Sequence, residues 1–304
     1  MISTFRARRA PLFLLSAVVL ATTACSDSTD TPPAPTQNIV ALAQATPTLS
    51  TLTAALTAGA LVPTLQGTGP CTVFAPVNSA FAALPAGVQD RLLAAGNIAI
   101  LQKLLTYQVV PGRILAANVT EGQTLTSVEG STLTITLAGS AQVNGRRIAT
   151  TDIAATNGAV HLIDGVLTDN LDIVDVATIR GFTSLVNAAA AAGPNIVTAL
   201  RGNGAGAGLT VFAPTDAAFT ALGALPGNPT LSSVLTYHVV PARAPASTLS
   251  NNQQVTTLQG GTLRVLISGS SIRIQGRTNT VDVTATDVPA RNGVIHVIDA
   301  VLLP

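Results

Sequence analysis

Three histidines and two cysteines are all this chain has of either type, and their spacing limits the chemistry open to it. His161 and His296 each stand three residues before an aspartate, Asp164 and Asp299. Both segments are apolar and strand-like, and side chains three apart on a strand face opposite ways, so neither pair makes a His–Asp relay by itself. The expectation for both is a buried imidazole hydrogen-bonded within the fold. His238 follows Tyr237, whereas the matching earlier pair is Tyr107-Gln108. That difference sets an exposed, functional His238 against a purely structural one. Cys25 and Cys71 are too few for a cysteine-rich zinc or iron–sulfur site, and no two His or Cys sit at ligand spacing, so no metal is expected. A Gly-x-Ser-x-Gly elbow, a His-Glu-x-x-His helix and a Walker or dinucleotide glycine loop are all missing. The glycine-rich run Gly202–Gly208 precedes a strand, whereas a phosphate cradle follows one and opens a helix; it reads as a loop. The expectation is a non-catalytic protein without a cofactor.

The elements that hold these residues come twice. Thr72-Val73-Phe74-Ala75-Pro76-Val77-Asn78-Ser79-Ala80-Phe81 recurs as Thr210-Val211-Phe212-Ala213-Pro214-Thr215-Asp216-Ala217-Ala218-Phe219. Leu105–Pro111 recurs as Leu235–Pro241, and Asn157–Asp164 as Asn292–Asp299. The offsets are 138, 130 and 135, so order is kept and only connections change length. Two copies of this size are two globular domains rather than a solenoid, here 38–170 and 171–304. From Phe81 to Tyr107 is 26 residues, but from Phe219 to Tyr237 only 18, so the second copy lacks about two helical turns. The first keeps Val88–Ala95 and Ile98–Leu105, both with helical spacing.

Leu49–Ala58 and Phe182–Ala192 read as helices, and Val73–Ala75 and Val211–Ala213 as short strands. Asn78 and Asp216 are expected to cap the helices that they begin. Thr132–Leu137 and Val281–Thr284 alternate as strands, and Asn144-Gly145 predicts a type I′ hairpin turn that Gln275-Gly276 matches. The hairpin also accounts for Asn144-Gly145-Arg146 without a recognition role. The class is α+β, helices first and then antiparallel strands. Six of the seven aromatics after Cys25 lie in the repeated blocks, as core residues would.

The N-terminus reads as an address. Arg6, Arg8 and Arg9 precede the apolar stretch Pro11–Ala21, too short to span a bilayer. Thr22-Thr23-Ala24-Cys25 resembles a bacterial lipobox, although Leu is usual where Thr22 stands. That resemblance implies a signal peptide at 1–24, a lipid on Cys25 and an outer-membrane destination. The alternative is an ordinary secreted protein cleaved nearby. Residues 25–37, polar and proline-rich, read as a disordered tether. Without the three leader arginines, 12 of the 15 basic residues remain against 14 acidic ones, a net charge of −2. Such a balance gives no footprint for nucleic acid.

The Thr-Val-Phe-Ala-Pro-x-(Asn/Asp)-x-Ala-Phe block, the Tyr-His-x-x-Pro stretch and the Asn-Gly-x-x-His-x-Ile-Asp block together resemble the fasciclin domain family. All three occur twice, in order. The resemblance implies two tandem fasciclin-like domains, each a wedge-shaped β-sandwich flanked by helices. It also implies adhesion outside the cell or on the envelope, with a protein or glycan on a cell surface or matrix as partner. In some members of the family the Tyr-His pair is linked to adhesion, so the resemblance makes Tyr237 and His238, rather than Tyr107-Gln108, the candidate interaction residues. The competing expectation is an envelope protein that binds a glycan or small molecule in the interdomain groove; an enzyme and a passive spacer are the remaining readings. Loops near Gly112-Arg113 and Ala242-Arg243 are the expected contact regions.

Overall fold

The computed structural model describes residues 34–202, 206–223 and 230–304. The leader, Cys25, most of the tether and the middle of the glycine-rich run lie outside the described residues. In the first repeat, helices α1 (Ile39–Ala45), α2 (Ser50–Ala58) and α3 (Val62–Leu65) precede β1 (Cys71–Pro76). Helices α4 (Asn78–Ala82), α5 (Val88–Leu93) and α6 (Ile98–Tyr107) follow. The remaining strands are β2 (Val109–Pro111), β3 (Thr124–Thr126), β4 (Thr132–Thr136), β5 (Gln142–Val143), β6 (Arg146–Ala155) and β7 (Gly158–Ile163).

The second repeat opens with α7 (Ile173–Arg180), α8 (Thr183–Ala192) and α9 (Pro194–Arg201), then β8 (Leu209–Pro214). After α10 (Asp216–Leu222) and α11 (Thr230–Tyr237) come β9 (Val239–Val240), β10 (Gln254–Thr256), β11 (Thr262–Ser268), β12 (Ser271–Gln275), β13 (Thr280–Ala290) and β14 (Gly293–Ile298). Each repeat joins its strands in one seven-strand order, β2-β1-β7-β6-β5-β4-β3 and β9-β8-β14-β13-β12-β11-β10.

The order explains the sandwich. Strands sit about 4.8 Å apart, so β1 and β4, four steps apart in a flat ladder, could not touch. Yet Phe74 of β1 and Leu133 and Ile135 of β4 lie in one buried cluster with Tyr107 and Ile163. The ladder therefore folds over on itself. Register breaks in β6 between Ile148 and Ile153, matched in β13, are where extra residues let it bend. Beside the antiparallel strands expected in the second half of each repeat stands one parallel pair. β1 runs parallel to β7, and β8 to β14, because helices α4 to α6 carry the chain away before the antiparallel part begins.

Two local expectations also change. Asn78 and Asp216 do not cap their own helices. Asn78 Oδ1 accepts from the Thr51 amide at 3.0 Å and Asp216 Oδ1 from the Ser184 amide at 2.8 Å, so each caps a helix distant in sequence. In the second repeat the local cap falls to Thr215, whose hydroxyl accepts from the Ala218 amide. The Asn144-Gly145 turn has positive φ at both residues, as type I′ requires, and Val143 pairs with Arg146. Its expected counterpart differs: Gln275 pairs with Thr280, leaving the four-residue loop 276–279 closed by the Gly276 amide on Asn279 O. Among the described residues no single helix is long and apolar enough to cross a membrane.

Candidate interaction site

Tyr237 ends α11 and His238 follows it, and both are buried. The exposed placement weighed for His238 is corrected; it is 1% exposed. Its Nδ1–H donates to Val234 O at 2.7 Å, and Nε2 accepts from the Leu302 amide at 2.9 Å. The imidazole thus ties the helix end to the last residues of the domain and works only when neutral, because an amide already points at Nε2. Burial accordingly pushes its pKa down to about 4, against a smaller upward pull from Val234 O. Gln108, its counterpart, reaches Leu104 O only at 3.4 Å, and its buried Oε1 has no partner among the described residues.

In the unfolded chain the histidine titrates near 6.5 and in the fold near 4, so between these values the unfolded state binds more protons. Its contribution is complete above pH 6.5 and is lost as pH falls towards 4. A gap of about 2.5 units corresponds to about 3 kcal/mol. Urea titrations from pH 7.5 to 4 are expected to show this acid loss in the native chain and to lack it in His238→Gln. Identical pH profiles for the two proteins refute the assignment.

Tyr237 OH donates to Thr262 O at 3.1 Å and accepts from the Arg277 amide at 3.0 Å. Tyr107 OH likewise donates to Thr132 O and accepts from Asn144 Nδ2 at 2.7 Å. Burial, with the Asp169 charge, pushes the Tyr107 phenol up to about 12. Tyr237 also forms part of the wall of an open cleft of about 550 Å³ with Gln259, Thr262 and Arg277.

The Asn-Gly-x-x-His-x-Ile-Asp block is absorbed by the fold, residue by residue. Asn157 Oδ1 accepts from the Ile39 amide while Nδ2 donates to Leu65 O and Gly67 O, clamping the start of α1 to the end of α3. Asn292 repeats this with the Ile173 amide, Leu200 O and Gly202 O. His161 Nδ1 accepts from the amide of the bulge residue Asp152, and Nε2–H donates to Ile114 O; His296 does the same with Asp287 and Ala244. Each ring stacks on a phenylalanine, Phe74 or Phe212. Asp164 and Asp299 accept from the Arg147 and Asp282 amides. All three imidazoles are therefore buried with both nitrogens bonded to backbone. No group of three or more His, Cys, Asp or Glu among the described residues could hold a metal. Cys71 starts β1, half-buried, and burial raises its thiol pKa.

The two repeats meet through α5 and α7. Val88 and Leu92 of α5 belong to the same buried cluster as Ile173, Val176 and Ile179 of α7. Gly181, ending α7, lies under Arg91: an added Cβ there would stand 2.5 Å from Arg91 Cζ. Beside this contact, Lys103 Nζ of the first repeat reaches Asp175 at 2.7 Å and Asp172 at 3.8 Å, and Arg201 reaches them at 2.9 and 2.6 Å. Both carboxylates are buried and form the capping box of α7. Burial pushes Asp175 up, but hydrogen bonds and charge from Lys103 and Arg201 outweigh it and hold the carboxyl below the usual range.

Next to the junction is a notch of about 220 Å³ lined by Thr168, Asp169, Arg243, Pro289, Ala290 and Arg291. Of the expected contact loops, Ala242-Arg243 thus faces a cavity. Arg291 and Asp169 were not legible as site residues; the one trace is that Arg291 stands where the first repeat has Thr156.

The sequence model of the fasciclin domain matches residues 47–169 and again 180–304. The chain belongs to the fasciclin domain family. Transforming growth factor-beta-induced protein ig-h3 from Sus scrofa is 37% identical over 257 residues, 80% of this chain but 36% of that protein. This fasciclin-domain chain thus spans about a third of that relative's length. Protein sll1483 of Synechocystis is 47% identical over 130 residues, covering 42% of this chain and 72% of its own. Immunogenic protein MPB70 of Mycobacterium bovis is 39% identical over 127 residues, 40% of this chain and 63% of its own. Among solved structures, a FAS1 domain pair from the insect cell adhesion molecule fasciclin I aligns over 82% of this chain and 95% of its own, at 18% identity and a TM-score of 0.38.

Proposed function

We propose that this fasciclin-domain protein is an exported, lipid-anchored component of the cell envelope that binds partner proteins and has no catalytic role. One observation carries the reading. Every histidine is buried and bonded on both ring nitrogens to backbone, so the residues most suited to chemistry serve the fold. The family relationship and the lipobox-like Ala24-Cys25 support it from the sequence side. In this reading Tyr237 and His238 act by holding the end of α11, and exposed loops such as those at Arg113 and Arg243 meet the partner. Two domains held by one ion network would present two contact faces at fixed spacing, which favours avidity if both can engage.

Protease treatment of intact cells tests the placement. Loss of both domains while a periplasmic marker survives is the expected result, and survival of the domains moves the protein to the periplasm and ends the intercellular form of the proposal. A Cys25→Ala variant is expected to leave the membrane fraction. A second reading, capture of a small ligand between the domains, is favoured by the notch at Arg243 and Arg291.

A further inference from the structure

We propose that the notch between the repeats binds a carboxylated sugar unit, its carboxylate on Arg243 and Arg291 and its hydroxyls towards Asp169 and Thr168. The inference deepens the second reading above and does not depend on protein adhesion. It starts from a contrast in charge. At the junction, Lys103 and Arg201 are matched by Asp172 and Asp175 within 4 Å. A few residues away, Arg243 and Arg291 line one cavity, and no carboxylate among the described residues lies within ion-pair distance of either. Asp169 shares the cavity but is engaged by Asn144 Nδ2 at 3.3 Å. Two like charges facing one cavity repel, and an oxyanion between them removes that cost while gaining charge-assisted hydrogen bonds.

The walls are set in advance. The Arg291 amide donates to Leu171 O at 2.7 Å and the Arg243 amide to Ala207 O at 3.1 Å. Gly208 brings the backbone against Arg243, 3.1 Å from Arg243 Cβ to the place where a Cβ would stand. A ligand therefore orders only the guanidinium ends, which lowers the entropic cost of binding. The first repeat has Arg113 and Thr156 at these positions, so it lacks the second cation. Size narrows the class. Pockets for drug-sized ligands run from about 300 to 1,000 Å³, and this one, at about 220 Å³, takes a single small unit. A bare inorganic anion would leave Asp169 facing it as a like charge. A ligand with hydroxyl donors opposite its carboxylate uses Asp169 and Thr168 as acceptors, which is the layout of a uronic acid residue.

The test titrates the full exported chain with sodium D-glucuronate, with D-glucose and sodium sulfate as controls, following amide shifts by NMR. The expected result is saturable glucuronate binding that perturbs residues 168–171 and 289–292. Glucose has no carboxylate and is expected not to bind, and sulfate is expected to bind more weakly. Arg291→Thr, which copies the first repeat, is expected to lower the affinity roughly tenfold or more, as losing a charge-assisted bond does. Arg113→Ala, which lies outside the notch, is expected to leave the glucuronate affinity unchanged. Both arginines are exposed, so an unchanged melting temperature certifies the variants as folded. Absence of saturation, an affinity unchanged in Arg291→Thr, or sulfate binding as tightly as glucuronate each overturns the proposal. None of these outcomes bears on whether protease reaches the domains on intact cells.

Discussion

Gly158→Ala is expected to unfold the first domain at ambient temperature, a loss of more than about 4 kcal/mol. Gly158 pairs with Cys71 in the parallel ladder of β1 and β7. An added Cβ would stand 1.8 Å from Cys71 O and 2.9 Å from its carbonyl carbon. Those are backbone atoms, so relief requires the central strand pair to separate, and close-packed interiors do not absorb such a shift. Gly293 repeats the situation, with Leu209 O at 2.2 Å and Ile173 Cδ1 at 2.9 Å from the same point. Gly96→Ala is the control, since nothing lies within 4 Å of its Cβ position. Urea unfolding followed by circular dichroism reads both. A Gly158→Ala domain within 1 kcal/mol of the native one would falsify the close-approach argument.

Asp175→Ala is expected to cost about 2–3 kcal/mol and to loosen the coupling between the domains. Removing one member of a buried charge group typically costs about 3–5 kcal/mol, because its partners stay desolvated. The lower figure applies here because Lys103 and Arg201 are 25% and 44% exposed and recover some hydration. Asp172 would be left to face both cations. Calorimetry is the measurement: one transition for the native chain, and two separable ones for the variant. A variant that still melts in a single transition with unchanged midpoint refutes the role of the network. The pH dependence has the carboxylate sign. The Asp175 contribution is present above the ordinary carboxyl pKa of about 4 and fades as pH falls through its lower folded value. Acid is thus expected to weaken the junction through Asp175 and the second domain through His238.

These effects show how far the sequence reaches. The duplication and the helix and strand positions were legible because they follow from local chemistry: Ala/Leu-rich runs, alternation, and an Asn-Gly turn. The eight-residue difference between the repeats was legible as a length, but its use was not. α5 lies within the longer stretch of the first repeat, and α5 is what packs on α7 to join the domains. Asn78 and Asp216 show the same limit. Their types promised a helix cap, but proximity in space chose helices 27 and 32 residues away.

Burial drew the remaining line. Tyr237 and His238 stood out by type and by the asymmetry with Gln108, yet residue type says nothing of which atoms face water. The tertiary structure buries them because the end of α11 meets the last residues of the domain, where an amide needs an acceptor. Arg291 is the converse. It carried no motif, and it becomes a site residue only because the ladder and the Leu171 carbonyl bring it beside Arg243. The sequence by itself determined the duplication, the α+β class and the residue types held in common by the two copies, since those depend on local pattern. Parallel pairing of β1 with β7, the junction through α5 and the grouping of Arg243 with Arg291 were decided only by tertiary structure, because each joins residues that chain order keeps apart.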